Sequence, residues 1–208
     1  MKTHFQREGR FSRLSAFRPL FVWGLLCLSG FTLLANYVNT PGPQTLPDES
    51  VTGDPASTDG GAQVFMFIHP KCPCSKASLT ELQEVVQRAS GHIGELRFYV
   101  TVSDPESSGN WREEGLIRQL QSWGGNSSVY FDSDGETARR YGALTSGHVV
   151  AFDANGEQIF TGGITGSRGH RGDNRGRREL VSALTDHQDR SASSLVFGCQ
   201  IQSFEEAL

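Results

Sequence analysis

The chain has 208 residues, 37% of them hydrophobic, and a net charge of −4. That is room for one domain with an appendage, and too little apolar content for a compact fold throughout. Lys2, Arg7, Arg10, Arg13 and Arg18 face only Glu8 in residues 1–18, so the rest of the chain is acidic, which excludes a nucleic-acid surface as the default partner.

Residues 1–18 read as a basic tail that stays in the cytoplasm. Pro19 to Val38 carries no charge, and at 1.5 Å per residue it spans the ~30 Å core of a bilayer. The basic flank sets the orientation: N-terminus inside, remainder outside. Trp23 and Tyr37 suit the two interfaces. A cleaved signal peptide is the competing reading. Leu33-Leu34-Ala35 disfavours it, because a large residue occupies the third position back. Leu26 before Cys27 disfavours lipidation. The expectation is an uncleaved anchor over 19–38, making a single-pass protein of the bacterial inner membrane. Residues 39–62 interleave Pro41, Pro43, Pro47 and Pro55 with Gly, Ser, Thr and Asp and show no apolar period. They read as a disordered linker, leaving residues 63–208 as the folded domain.

That domain opens on an apolar run, Val64 to Ile68, which stops at His69-Pro70. Cys72-Pro73-Cys74-Ser75 follows, and then Ala77, Leu79, Leu82, Val85 and Val86 recur at helical spacing. The pattern is a buried strand, a short turn, and a helix over about 75–90 that starts on a Cys-Pro-Cys motif. A thiol at a helix N-terminus faces unpaired N–H groups and the positive end of the dipole, which favour the reactive thiolate. Two inert core cysteines are the alternative, and Lys71, Ser75 and Lys76 argue against it. Beyond lie an alternating strand over 95–102, a helix over 111–123, a strand over 128–131 and a helix over 136–141. A hairpin of 148–152 and 158–161 turns on Asp153-Ala-Asn-Gly156. The last helix covers about 176–185. The order is β-α-β-α-β-α-β-β-α, an α/β fold with a mixed sheet and helices on both faces.

Strand, cysteine and helix, then Asp132-Ser-Asp-Gly135 with Ala138-Arg-Arg-Tyr141-Gly142, then Phe152-Asp153-x-x-Gly156, resemble the thioredoxin-like fold in its periplasmic redoxin branch. The segment Gly162 to Asn174 and the terminal Val196-Phe-Gly-Cys199 resemble the bacterial RedB-type membrane-anchored thioredoxin-like proteins. The resemblance implies thiol–disulfide exchange with a protein client and a redox partner, and places Cys72 as the attacking residue. Two positions depart from the thioredoxin pattern. Ser75 stands where the second cysteine of Cys-x-x-Cys would be. Gly147 stands where the proline before the hairpin strand would be.

Three cysteines lie beyond the anchor: Cys72, Cys74 and Cys199. Cys74 is the expected resolving thiol because it is always close, although a Cys72–Cys74 bond closes a small, strained ring. Cys199 is the other candidate if a C-terminal strand returns to the site; otherwise it is a small buried hydrophobe. The thiol reading needs no cofactor. A different class of function is copper carriage, with His69, Cys72 and Cys74 as Cu(I) ligands and Cys199 and His148 as further ones. A third is a redox-inert interaction module. The 162–178 segment, rich in Gly and Arg, reads as a flap or anion site over the thiols, or as a surface loop in which Asp173 or Asn174 caps the last helix.

Overall fold

Strand β1 (Ala62–Ile68) is buried on both faces, and this explains why its sequence is a continuous apolar run rather than an alternation. It is the centre of the fold. In the computed structural model, residues 11–48, 51–53, 60–102, 115–186 and 191–201 are described, with side chains from Phe17 onward. The chain forms two compact units, Met1–Asn39 and Thr40–Leu208.

In the first unit, helix α1 (Phe11–Asn39) contains an apolar stretch, Phe17–Asn39, long enough to cross a membrane. Its few polar groups are satisfied within the helix. Ser29 donates to the Leu26 carbonyl at 2.9 Å, Thr32 to Leu28 at 2.8 Å, and Asn39 to Ala35 at 2.7 Å. Such back-bonding suits a helix without water around it. Residues 1–10 of the basic tail lie outside the described residues.

The second unit is a six-stranded sheet in the order β3-β2-β1-β4-β5-β6. Strands β2 (Ile93–Val102) and β3 (Ser127–Ser133) continue parallel to β1 on one side. Strands β4 (His148–Phe152) and β5 (Gln158–Gly163) form the antiparallel hairpin on the other, and the short β6 (Ala192–Ser193) ends the sheet. Between them run α2 (Ser75–Arg88), α3 (Gly115–Gln121), α4 (Glu136–Arg140) and α5 (Arg175–Thr185). Every expected element of the domain is present. The expected start of α3, residues 111–114, lies outside the described residues.

The two faces have separate cores. Val64, Met66 and Ile68 point to Leu79, Leu82 and Val85 of α2, with Ile117 and Leu120 of α3 and Leu180 of α5 in the same cluster. Phe65 and Phe67 point the other way, to Ala138, Val150 and Phe152. Helices therefore cover both faces, as the alternating orientation of strand side chains requires. Carboxylates cap the connections. Asp132 accepts from the Thr137 and Ala138 amides at 2.8 and 2.9 Å, starting α4. Asp153 accepts from Asn155 and Glu157 at 2.9 and 2.8 Å, closing the hairpin turn.

The segment read as a linker holds a finding of its own. Gly42 donates to the Val196 carbonyl at 2.8 Å, Thr45 to Gly142 at 3.1 Å, Asp48 to Arg140 at 2.9 Å and Gly53 to Gly156 at 3.0 Å. Val51 packs on the second core. Thr40 onward belongs to the second compact unit. Absence of an apolar period excludes a helix or strand, but it does not exclude an extended strap held by backbone hydrogen bonds. Residues 49–50 and 54–59 lie outside the described set.

Candidate functional site

The site is built where β1 ends. His69, Pro70 and Lys71 turn the chain, and the Cys72 amide closes the turn by donating to the His69 carbonyl at 3.1 Å. The Cys72 carbonyl then accepts from Ser75 at 3.1 Å, and the Cys74 carbonyl from Ala77 and Ser78 at 3.0 and 3.2 Å. Cys74 is thus the N-cap of α2, already in helical conformation and without a side-chain cap. The cap position leaves amide donors free for another acceptor, and the Cys72 sulfur takes the Cys74 amide.

The C-terminal segment comes back to this point. The Ser146 amide donates to the Cys199 carbonyl at 2.8 Å, and Ile201 donates to Leu144 at 2.9 Å. Thr145 and Gln200 form an antiparallel bridge. Arg168, from the loop between β5 and α5, donates to the Gly198 carbonyl. Gly198 lies so close to the 145–146 backbone that a Cβ there would overlap the Ser146 carbonyl oxygen. This anchoring sets the Cys199 amide 3.3 Å from the Cys72 sulfur. Cys72, Cys74 and Cys199 are all thiols and meet at one place.

Their electrostatics differ. Cys72 is only 3% exposed. Burial by itself raises its pKa, but hydrogen bonds from the Cys199 thiol and amide, the Cys74 amide and the Ser75 hydroxyl outweigh burial and hold it below the ordinary thiol value. Cys74 is raised, first by burial and then by the charge of Cys72, with Arg168 opposing. Cys199 is pushed up to about 12, by burial and by its bond to and repulsion from Cys72 and Cys74. Of the three thiols, Cys72 is therefore the one that ionises first.

Ser75, in the position of the missing second cysteine, is buried and belongs to a hydroxyl chain. The His69 amide donates to the Ser146 hydroxyl at 2.9 Å, and the Ser146 and Ser75 hydroxyls are 2.9 Å apart. The Ser75 hydroxyl also donates to the His69 carbonyl at 3.3 Å, so the chain closes back on the turn that carries Cys72. Ser146 was not legible as a site residue; its only sequence signal is its place one residue before Gly147. Gly147 does abut the site. It has φ of +93°, donates to the Phe67 carbonyl at 2.8 Å, and a Cβ on it would stand 2.6 Å from the Ser78 hydroxyl.

His148 follows Gly147, but its ring turns into the second core. It is 1% exposed, lies edge-on to Phe67, and its Nε2 is 2.9 Å from the Thr161 hydroxyl. Burial pushes its pKa down to about 4, so it is neutral. Among the described residues no group of three or more His, Cys, Asp or Glu side chains is arranged to hold a metal ion.

The 162–178 loop is tied down and does not form a free flap. Asn174 accepts from the Arg177 amide at 2.9 Å, capping α5, and donates to the Ile164 carbonyl at 2.9 Å. Glu81 of α2 accepts from the Gly172 amide at 2.7 Å and from Arg177 at 2.6 Å. A charged pair buried this deeply holds one geometry, because either charge left alone is costly.

No family model and no curated relative matches the chain. Solved structures do. An uncharacterized conserved protein from Geobacillus kaustophilus is similar at TM-score 0.55 and 17% identity, over 80% of this chain and 92% of that one. A hypothetical protein from Sinorhizobium meliloti 1021 is similar at TM-score 0.49 and 17% identity, over 79% and 96%. A secreted disulfide oxidoreductase from Mycobacterium tuberculosis is similar at TM-score 0.39 and 19% identity, over 63% and 85%. The Geobacillus structure, alike over most of both chains, bears on fold alone. With the central β1 parallel to β2, antiparallel to β4, and a cysteine at the turn into α2, the chain has a thioredoxin-like fold.

Proposed function

We propose that this chain is a membrane-anchored thiol–disulfide redox protein whose attacking residue is Cys72. The observation that carries the reading is the hydrogen-bonded state of the Cys72 sulfur. It accepts from amides at 199 and 74 and from neighbouring side chains, and these bonds hold its pKa low against burial. Donors aimed at a sulfur in a desolvated turn stabilise the anion, which is the nucleophile and leaving group of thiol–disulfide exchange. Cys74 contributes its amide to that sulfur. A protein client and a redox partner supply the other thiols.

The finer reading is a RedB-type protein of a bacterial inner membrane. In it, α1 is an uncleaved signal-anchor, residues 1–18 stay in the cytoplasm, and the folded unit works in the periplasm. It rests on the charge-free span after a basic flank and on the glycine-rich segment and Val196-Phe-Gly-Cys199.

The test is equilibration of the full-length protein, in detergent micelles, with mixtures of reduced and oxidised glutathione. Exchange should appear as a reversible two-electron oxidation that Cys72→Ser abolishes. Thiols that stay reduced across the whole range of glutathione poise, with Cys72→Ser indistinguishable from the parent, would mean a redox-inert module.

A further inference from the structure

We infer that Cys199, and not Cys74, is the resolving thiol of the site, carried to Cys72 by the docked C-terminal segment. The inference rests on the reading of Cys72 as the attacking thiolate. Sequence proximity favours Cys74, but the geometry points to Cys199.

The amide of Cys199 stands 3.3 Å from the Cys72 sulfur. With an N–Cα bond of about 1.46 Å, the Cys199 Cα lies within about 4.8 Å of that sulfur. That places the Cys199 Cα within the short range over which a cysteine side chain can reach a partner sulfur. The Cys199 backbone is fixed on both sides by its carbonyl bond to Ser146, the Ile201 bond to Leu144 and the Arg168 bond to Gly198. Gly198 admits no side chain, so the segment is seated in contact with residue 146 and does not hover over it. A loop closed between residues 72 and 199 is long, and no ring strain opposes the bond.

Cys74 is placed for a different task. Its carbonyl accepts the Ala77 and Ser78 amides of α2, and its own amide serves the Cys72 sulfur. A Cys72–Cys74 disulfide must close across the single rigid residue Pro73 and meet the narrow dihedral range of a disulfide. That rearranges the turn and withdraws donors from the sulfur they stabilise.

The step runs as follows. The Cys72 thiolate attacks a client disulfide, forming a Cys72–client bond and expelling one client thiolate. The bond to Cys72 removes its negative charge, and with it one of the causes that hold the Cys199 proton. That proton passes to the expelled thiolate. The Cys199 thiolate then attacks the Cys72 sulfur and expels the second client thiolate. The client disulfide is reduced by two electrons, its second thiolate takes a proton from water, and the protein ends with a Cys72–Cys199 disulfide.

The probe is oxidised glutathione, added to the reduced full-length protein in detergent micelles. After acid quenching, trypsin cuts behind Lys71, Lys76 and Arg190, so Cys72 and Cys74 share the peptide 72–76 and Cys199 lies in 191–208. The parent and Cys74→Ser should both give the cross-linked pair of peptides. Cys199→Ser, and independently Cys199→Ala, should lose it and retain glutathione on Cys72. A cross-link lost in Cys74→Ser, or a disulfide internal to 72–76 in the parent and in both Cys199 variants, would overturn the inference while leaving Cys72 as the nucleophile. If Cys72 takes up no glutathione in any variant and no cross-link forms, the thiol reading itself fails and takes this inference with it.

Discussion

Replacing Glu81 by Ala removes one half of a charged pair whose side chains are 7% (Arg177) and 2% (Glu81) exposed. Glu81 holds Arg177 with one carboxylate oxygen and the Gly172 amide with the other. Without it, a guanidinium sits beneath the 162–178 loop with only Asp173, at 3.4 Å and largely in solvent, as a charged neighbour. Stranding one partner of a buried pair costs about 3–5 kcal/mol. The residual contact with Asp173 places this site near the lower end, about 3 kcal/mol. With a urea slope of about 2 kcal/mol/M, the midpoint should fall by about 1.5 M. Urea unfolding followed by tryptophan fluorescence reads it, since Trp123 packs on Phe98 in the first core. Glu81→Leu combined with Arg177→Met removes both charges and should restore most of the loss. A Glu81→Ala cost under about 1 kcal/mol, or a double variant no better than the single one, would refute the stranded-charge argument.

Gly147→Ala meets both a φ of +93° and a Cβ position 2.6 Å from the Ser78 hydroxyl. It should cost about 1–3 kcal/mol in urea unfolding, and a neutral result would mean that the turn can relax. Ser75→Cys made together with Cys199→Ser places a second thiol at the spacing of Cys-x-x-Cys. Intramolecular oxidation should return, read as a disulfide within peptide 72–76, whereas a retained glutathione adduct would count against the site geometry. Reporter enzymes active on one side of a membrane, fused after Leu208, should work only outside the cytoplasm. Activity confined to the cytoplasmic reporter contradicts the charge-based orientation.

The fold was largely legible because its strands and helices announce themselves by period. The apolar run before His69, the alternation over 95–102 and the Asp-Gly turns all map to observed elements. Contacts between backbone atoms have no such signature. The strap is held by hydrogen bonds from Gly42, Thr45, Asp48 and Gly53, and any polar sequence can make those. The site divides the same way. Cys72 was visible from its offset behind a strand and before a helix. The docking of Cys199 was one of two options left open, because it depends on the close approach of Gly198 to residue 146 and on the Arg168 bond. The arginines of the 162–178 loop suggested a flap, yet Arg177 is paired with a glutamate far away in sequence, and pairings at that separation leave no trace in a single chain.

The central claim is that Cys72 carries the thiolate. The most direct test is alkylation of the reduced full-length protein across pH, with each cysteine read separately by mass spectrometry and the peptide 72–76 fragmented to distinguish Cys72 from Cys74. Burial slows the absolute rate at Cys72, but the midpoint of its pH dependence reports ionisation alone. The account predicts a midpoint for Cys72 below the ordinary thiol value of 9.0, and midpoints above it for Cys74 and Cys199. A Cys72 midpoint at or above the ordinary value, or one higher than that of either neighbour, would contradict it.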